Sequence, residues 1–176
     1  MGDVNPADIL QQVRQTQLQL NITPEYKLYI SLCGIFGPHR NIVKHWDKFE
    51  AVFTSLIGQD EDMELIHFFQ AIVLFFINRY PDQQKFASSF CKKLYDNSMF
   101  EDEFFIKWHS RKLRLDKGCV LYDRPAESAM RPLISEFVVW IQNTDYDAEE
   151  GYGEEEEPTA DDEEEKTEEE VAETED

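Results

Sequence analysis

The chain has 176 residues, and its 37 acidic and 17 basic residues give a formal net charge of −20. The acidity is concentrated at the C-terminus: residues 145–176 carry a charge of −18, while residues 1–144 carry only −2. Three widely spaced cysteines argue against a disulfide framework or zinc site and favour a reducing compartment such as the cytoplasm, and we expect neither a secretory leader nor a membrane span.

Apolar residues recur at three- and four-residue steps over most of the body, which predicts consecutive amphipathic helices. The predicted helices span residues 7–20, 24–36, 41–57, 61–80, 82–95, 98–113 and 125–143. The helix predicted at 61–80 is apolar on nearly every face, so we expect it at the centre of the fold. Short connections between helices predict an all-α fold, an α-solenoid of antiparallel helix pairs.

Three local signals refine the helix boundaries. Ser98 and Glu101 form a Ser-x-x-Glu pattern, which predicts a capping box at the start of a helix. Gly58 stands where a C-terminal cap is expected. Pro132 lies inside the last predicted helix, where it predicts a kink or a short break.

The acidic tail differs from the body in composition. Residues 145–176 contain few apolar side chains, so they cannot bury enough surface to offset the entropy of ordering and are expected to be disordered. We therefore predict a helical domain at 1–144 and an acidic tail at 145–176, the first residues of which can belong to an acidic binding segment.

No pattern in the sequence indicates catalysis, a metal or a cofactor. The four histidines are scattered, and no nucleophile elbow or glycine-rich phosphate loop occurs. Cys33 and Cys91 lie on apolar helix stripes, where a buried inert thiol is expected. We predict that the chain is not an enzyme.

Two segments place acidic residues beside aromatic ones. Glu101, Asp102 and Glu103 follow Asp96 and precede Trp108, and a second acidic run follows Trp140. Acids in a first helical turn complement the helix dipole, which would explain one or two of them. The alternative is a pair of patches that attract and pack against a lysine-rich peptide. Both interpretations stay open on pattern alone.

A basic run lies beyond the first acidic cluster. A solvated helix face explains it more simply than a docking surface for an acidic partner or RNA does. The residues of this run are Lys107, Arg111, Lys112, Arg114 and Lys117.

Residues 94–108 combine a Leu-Tyr-Asp start, three consecutive acids, three apolar residues and a Trp. This segment resembles the first aromatic/acidic box of the C-terminal domain of eukaryotic translation initiation factor 5. That domain is shared with the epsilon subunit of initiation factor 2B and with factor 5-mimic proteins. Residues 137–141 and the acids from Asp145 onward resemble the second box.

The resemblance implies a HEAT-like helical adaptor that binds lysine-rich boxes of the initiation factor 2 beta subunit. It places Trp108 and Trp140 as packing anchors and the basic run as a weaker surface for initiation factors 3 and 1, with RNA contacted only indirectly. The implied lysine-box contacts are Glu101, Asp102, Glu103, Asp145, Asp147, Glu149 and Glu150, with Asp96 beside them.

Factor 5 also has a GTPase-activating domain, and its zinc ribbon and catalytic arginine are not found in this sequence. Three alternatives stay open. The chain could be a nucleotide-exchange domain of the 2B epsilon type, a free-standing mimic that competes with factor 5, or an acidic protein that mimics nucleic acid or acts like a histone chaperone.

Overall fold

The computed structural model describes residues 5–58 and 64–149, with side chains described as far as Thr144. Within these ranges the chain is all-α, with one π-helical turn at Phe75–Arg79 and a 3-10 segment at Pro81–Phe86. The helices are α1 (Pro6–Leu20), α2 (Pro24–Phe36), α3 (Ile42–Ile57), α4 (Leu65–Leu74), α5 (Ala87–Asp96), α6 (Asp102–His109) and α7 (Arg124–Glu149).

The first three helices begin at capping residues that the sequence supplies. The Asn5 side chain accepts the Ala7 amide at 3.1 Å, and Asn41 accepts the Lys44 amide at the same distance. Thr23 caps α2 in the same way, and a proline occupies the first turn of both α1 and α2. These residues satisfy amides that have no partner inside the helix, so each helix has a defined start.

Helix α4 is the centre of the fold, as the sequence predicts. Eight of its ten residues are buried. A series of ring contacts crosses it: Trp46 of α3 and Phe68 of α4 lie 6.1 Å apart, and Phe69 contacts Trp108 of α6 at 4.8 Å. Aromatic pairs at these distances add about 0.5–1.5 kcal/mol each beyond their buried area, so α4 links the two halves of the stack.

The helices form a HEAT-like stack, because most of them pack against helices close to them in the chain. Helix α1 packs on α3, α2 on α4, and α5 on both α3 and α7. Helix α6 packs on α7, and α4 also reaches α7. The long α7 therefore supports α5 and α6 together, and it is this layer that carries the predicted acidic and aromatic residues.

The capping box predicted at Ser98 is wrong. Ser98 has a φ of 55° and ends α5: its amide donates to the Tyr95 carbonyl, and the Met99 amide donates to the Leu94 carbonyl. This pair of hydrogen bonds is the Schellman motif that closes a helix C-terminus. Glu101 is the N-cap residue of α6 instead. Local sequence cannot separate the two cases, because the same serine fits either end.

Other predicted boundaries also differ. A kink or a short break was predicted at Pro132, and α7 is continuous through the proline, so it has no break there. Met130, Ile134 and Phe137 are buried on both sides of the proline, and this packing offsets the lost backbone hydrogen bond. Helix α7 continues to Glu149, beyond the predicted helix end at residue 143. Gly58 is the C-terminal cap of α3, as predicted.

The connection between α6 and α7 is longer than the short links predicted, because α6 ends at His109 and α7 begins at Arg124. It is nevertheless tied to the core. Leu115 and Leu121 are buried, and Gln70 of α4 donates to the Leu121 carbonyl at 3.0 Å. Asn78 donates to the Asp123 carboxylate at 2.9 Å. These contacts hold the connection against α4 and the π-helical turn.

Candidate protein-interaction site

The end of α5, the start of α6 and the middle of α7 meet through aromatic contacts. The Tyr95 ring lies 6.3 Å from Phe137 and 6.0 Å from Trp140, and Phe105 contacts Phe137 at 5.0 Å. The two aromatic/acidic segments, which are separated by about 40 residues in the chain, are thus adjacent in the fold.

Trp140 is the exposed aromatic residue of this region, with 41% of its surface accessible. The Lys92 Nζ lies 4.6 Å from the centre of its ring and 2.8 Å from Asp96 Oδ1. A lysine ammonium is therefore held between a tryptophan face and a carboxylate, an arrangement that combines a cation–π contact with an ion pair.

Trp108 occupies a different environment, because only 1% of its surface is accessible. It packs on Phe69, and the Arg131 guanidinium lies 4.6 Å from its ring centre. A residue so deeply buried cannot touch a partner directly. Its place in the site is to fix α6 on α4 and α7.

The three consecutive acids sit at the start of α6, where the helix dipole favours negative charge. Glu101 is the N-cap residue, and Asp102 and Glu103 lie in the first turn. Glu103 pairs with Lys107 one turn later at 2.6 Å, and both side chains are largely exposed. Among the described residues, Glu101 and Asp102 form no ion pair. Glu101 follows Asp96 by five residues, so the two lie at most roughly 18 Å apart.

Two further acids from α3 join this region, and sequence reasoning missed them. The Asn97 side chain, which follows Asp96, donates to Glu50 Oε2 at 2.8 Å. Lys93 pairs with Asp47 at 2.8 Å. The hydrogen bond from Lys93 lowers the pKa of Asp47 below its usual value, so this carboxylate stays ionised. Only the packing of α3 on α5 reveals these residues, because they lie almost 50 positions earlier in the chain.

The acids of the second predicted segment are described only in part. Asp145, Asp147 and Glu149 lie on the last turns of α7, but their side chains are outside the described set. Glu150 lies outside the described residues altogether.

The predicted basic residues differ in their immediate surroundings. Lys107 pairs with Glu103 on the acidic side. Arg111, Arg114 and Lys117 line a small cleft beyond the end of α6. Lys112 is exposed and does not line that cleft.

Cys33, Cys91 and His109 are buried or partly buried. Cys91 is fully buried, and burial raises the pKa of its thiol. Burial also raises the pKa of the Cys33 thiol. His109 is within 3.1 Å of the Ser135 hydroxyl. In residues 5–58 and 64–149, no three His, Cys, Asp or Glu side chains are grouped so that they could hold a metal ion. No helix in these ranges is long and apolar enough to span a bilayer.

The fold and these residues together define a class: an all-α, HEAT-like stack with exposed acidic residues on α5 and α6 and an exposed tryptophan on α7. A family model described as "W2: eIF4-gamma/eIF5/eIF2-epsilon" matches residues 61–151, more than half of the chain. The chain belongs to this W2 family of translation initiation factor domains, which are protein-interaction domains.

The structural comparison agrees on the fold. The chain is similar to the solved structure titled "The C-terminal Domain of Translation Initiation Factor 5 at low pH", with a TM-score of 0.58. The match covers 85% of this chain and 98% of the other at 19% sequence identity, a level at which the likeness concerns the fold alone. No curated protein matches the chain.

Proposed function

We propose that this chain is a translation initiation adaptor that captures lysine-rich segments of the initiation factor 2 beta subunit. The surface that would bind them consists of Asp96, Glu101, Asp102, Glu103 and Trp140, and we name it the acidic–aromatic surface. The observation that carries the proposal is the position of Lys92, whose ammonium lies over the Trp140 ring and beside Asp96. This intramolecular contact supports the proposal that a partner's lysine would bind between the same ring and carboxylate.

A partner can displace these internal contacts at little cost. Lys92, Asp96, Lys107 and Glu103 are each about half exposed or more, and exposed pairs one turn apart contribute only about 0.3–0.5 kcal/mol. An exposed cation–π contact adds roughly 0.5–1 kcal/mol. Several lysines binding together would replace both, while Glu101 and Asp102 offer charge that no described residue neutralises. Binding should weaken as salt concentration rises, since exposed charges are screened.

A charge-reversal experiment tests the proposal. We expect the Glu101→Lys, Asp102→Lys, Glu103→Lys variant to lose capture of a lysine-rich beta-subunit peptide while its far-ultraviolet circular dichroism stays helical. The matched control reverses three acids in the first turns of other helices, Asp8, Glu25 and Asp82. It changes the net charge by the same amount and should bind normally. Undiminished binding by the first variant, or an equal loss in both, would refute the proposal.

The basic residues that follow α6 in the chain form the second surface of this proposal. Arg111, Arg114 and Lys117 lie at the opposite end of α6 from the acids, so a second partner could bind there without competing for the acidic–aromatic surface. We assign this surface to acidic segments of initiation factors 3 and 1, and we place the complex in the cytoplasm, where translation initiation occurs.

The family description also includes eIF2-epsilon, which supports nucleotide exchange as a second candidate function. In that case the isolated chain should accelerate GDP release from initiation factor 2. An adaptor should bind the beta subunit without changing the release rate, so a stopped-flow release assay separates the two.

A further inference from the structure

Several basic residues line a cleft that the acidic–aromatic surface does not include. It has a volume of about 130 Å³ and lies between the α6–α7 connection and the first turns of α7. Five cations and one acid line it: Arg111, Arg114, Lys117, Arg124, Arg131 and Glu127. We name it the basic cleft. Its formal charge is strongly positive, since a single carboxylate faces five cations.

Arg131 is the most buried cation of the cleft, with 9% of its surface accessible. Its guanidinium stacks on Trp108 and pairs with Glu127 at 3.3 Å. The Arg131 Nε–H is buried and has no hydrogen-bond partner among the described residues. Arg131 also lines the cleft, so its positive charge favours an anion bound there.

Arg111 is held in a strained conformation at the rim of the cleft. Its φ is 64°, and its amide donates to the Trp108 carbonyl while the Lys112 amide donates to the Lys107 carbonyl. These bonds form a Schellman motif in which glycine is the usual residue. A left-handed conformation costs an L-residue about 1–2 kcal/mol. The backbone conformation of Arg111 is therefore unfavourable, while its side chain lines the cleft.

The walls of the cleft are fixed before any ligand binds. The buried Leu115 and Leu121 anchor the connection. Asp123 accepts from Asn78 at 2.9 Å and caps the Ala126 amide at 2.9 Å, which ties the start of α7 to the π-helical turn. Arg114 Nε donates to the Arg111 carbonyl at 2.8 Å. Arg131 is buried and Arg114 is hydrogen-bonded to the backbone, so these two cations lose little entropy on binding an anion.

The chemistry of the cleft fits a phosphate group. Arginine forks match phosphate oxygens in paired hydrogen bonds, and clusters of arginines are the usual receptors for phosphorylated residues. The volume is well below the roughly 300–1,000 Å³ of small-molecule sites, so it suits one phosphate better than a nucleotide. Single-stranded RNA would need a row of stacking rings, and Tyr122 is the one aromatic residue that lines the cleft.

We propose that the basic cleft binds a phosphorylated serine or threonine of a partner polypeptide. This inference rests on the proposed function only because it uses part of the second surface. It names the ligand chemistry of that surface and adds Arg124 and Arg131 to it. It does not depend on lysine-rich segments binding at the acidic–aromatic surface.

The test is a titration of the full chain, isotope-labelled and followed by its amide resonances. The probes are a glycine–alanine peptide with one phosphoserine, its unphosphorylated counterpart, inorganic phosphate and a short oligouridylate. We expect the phosphopeptide to bind most tightly and to shift the amides of residues 111–131. Equal affinity for the unphosphorylated peptide or for inorganic phosphate would overturn the proposal, and so would tighter binding of the oligouridylate.

Two variants localise the effect. Arg111→Gly removes a cation while relieving the backbone, so it should fold well and weaken phosphopeptide binding about tenfold, as expected for a lost charged hydrogen bond. Lys112→Ala removes a neighbouring exposed cation outside the cleft and should change affinity less than about twofold. Unchanged binding by Arg111→Gly would overturn the assignment. Both variants should still capture the lysine-rich peptide, so the two proposals can fail separately.

Discussion

Trp108 and Trp140 lie on neighbouring helices, and each has a cation 4.6 Å from its ring centre. Their exposures differ widely, at 1% and 41%. Trp108 and Arg131 are part of the core beside the basic cleft, whereas Trp140 and Lys92 lie on the surface beside Asp96. A contact between a tryptophan ring and a cation therefore stabilises the core at Trp108, where it is buried. At Trp140 the same contact is exposed, so a partner's cation can replace the chain's own.

The largest expected effect comes from removing the buried ring. Trp108→Ala should lower the free energy of unfolding by about 3–5 kcal/mol, the usual cost of deleting a large buried aromatic side chain. Its contact with Phe69 and the support of Arg131 are lost together. Urea denaturation followed by circular dichroism measures the change. A loss below about 1 kcal/mol would contradict the comparison, because Trp108 would then not act as a core residue.

Removing the exposed ring should affect peptide binding more than stability. Trp140→Ala should destabilise the fold by less than about 1 kcal/mol, but weaken binding of a lysine-rich peptide about fivefold, close to the value of a cation–π contact. Fluorescence anisotropy of a labelled peptide measures the affinity.

The matched control for that variant is Val139→Ala, since Val139 is 54% exposed on the adjacent position of α7. It should bind as the unchanged chain does. If Trp140→Ala binds normally, the ring is not part of the binding surface, and the contrast between the two tryptophans is structural only.

The contrast itself could not be predicted from the sequence. Both tryptophans lie in helical phase with apolar neighbours, and only the packing of α6 against α4 and α7 shows which one is covered. The all-α class and the central position of α4 were predictable, because periodicity and an apolar run report burial directly.

The candidate site also contains some residues that the sequence could propose and others that only the packing reveals. Glu101, Asp102 and Glu103 are consecutive, so the sequence alone was sufficient to propose them. Asp47 and Glu50 join them only through the packing of α3 on α5. The basic cleft was found in part, because Arg111, Arg114 and Lys117 are close in sequence. Arg124 and Arg131 belong to α7, and no local pattern connects them to the run.

The smallest expected effect concerns the helix end on the acidic side, which mirrors the one at Arg111. Ser98 closes α5 with a φ of 55°, so Ser98→Gly should relieve a left-handed strain of about 1–2 kcal/mol. Glycine also gains about 0.5–1 kcal/mol of entropy in the unfolded chain, which leaves a net stabilisation of about 0.5–1 kcal/mol. The measurement is again urea denaturation.

The binding outcome distinguishes the two helix ends. The Ser98 hydroxyl belongs to neither proposed surface, so Ser98→Gly should bind both the lysine-rich peptide and the phosphopeptide normally. Arg111→Gly relieves the same kind of strain but removes a guanidinium, so it should gain stability while losing phosphopeptide affinity. If both substitutions stabilise the chain and neither changes binding, the strain at Arg111 is only the cost of ending α6, and the residue has no separate role in the cleft.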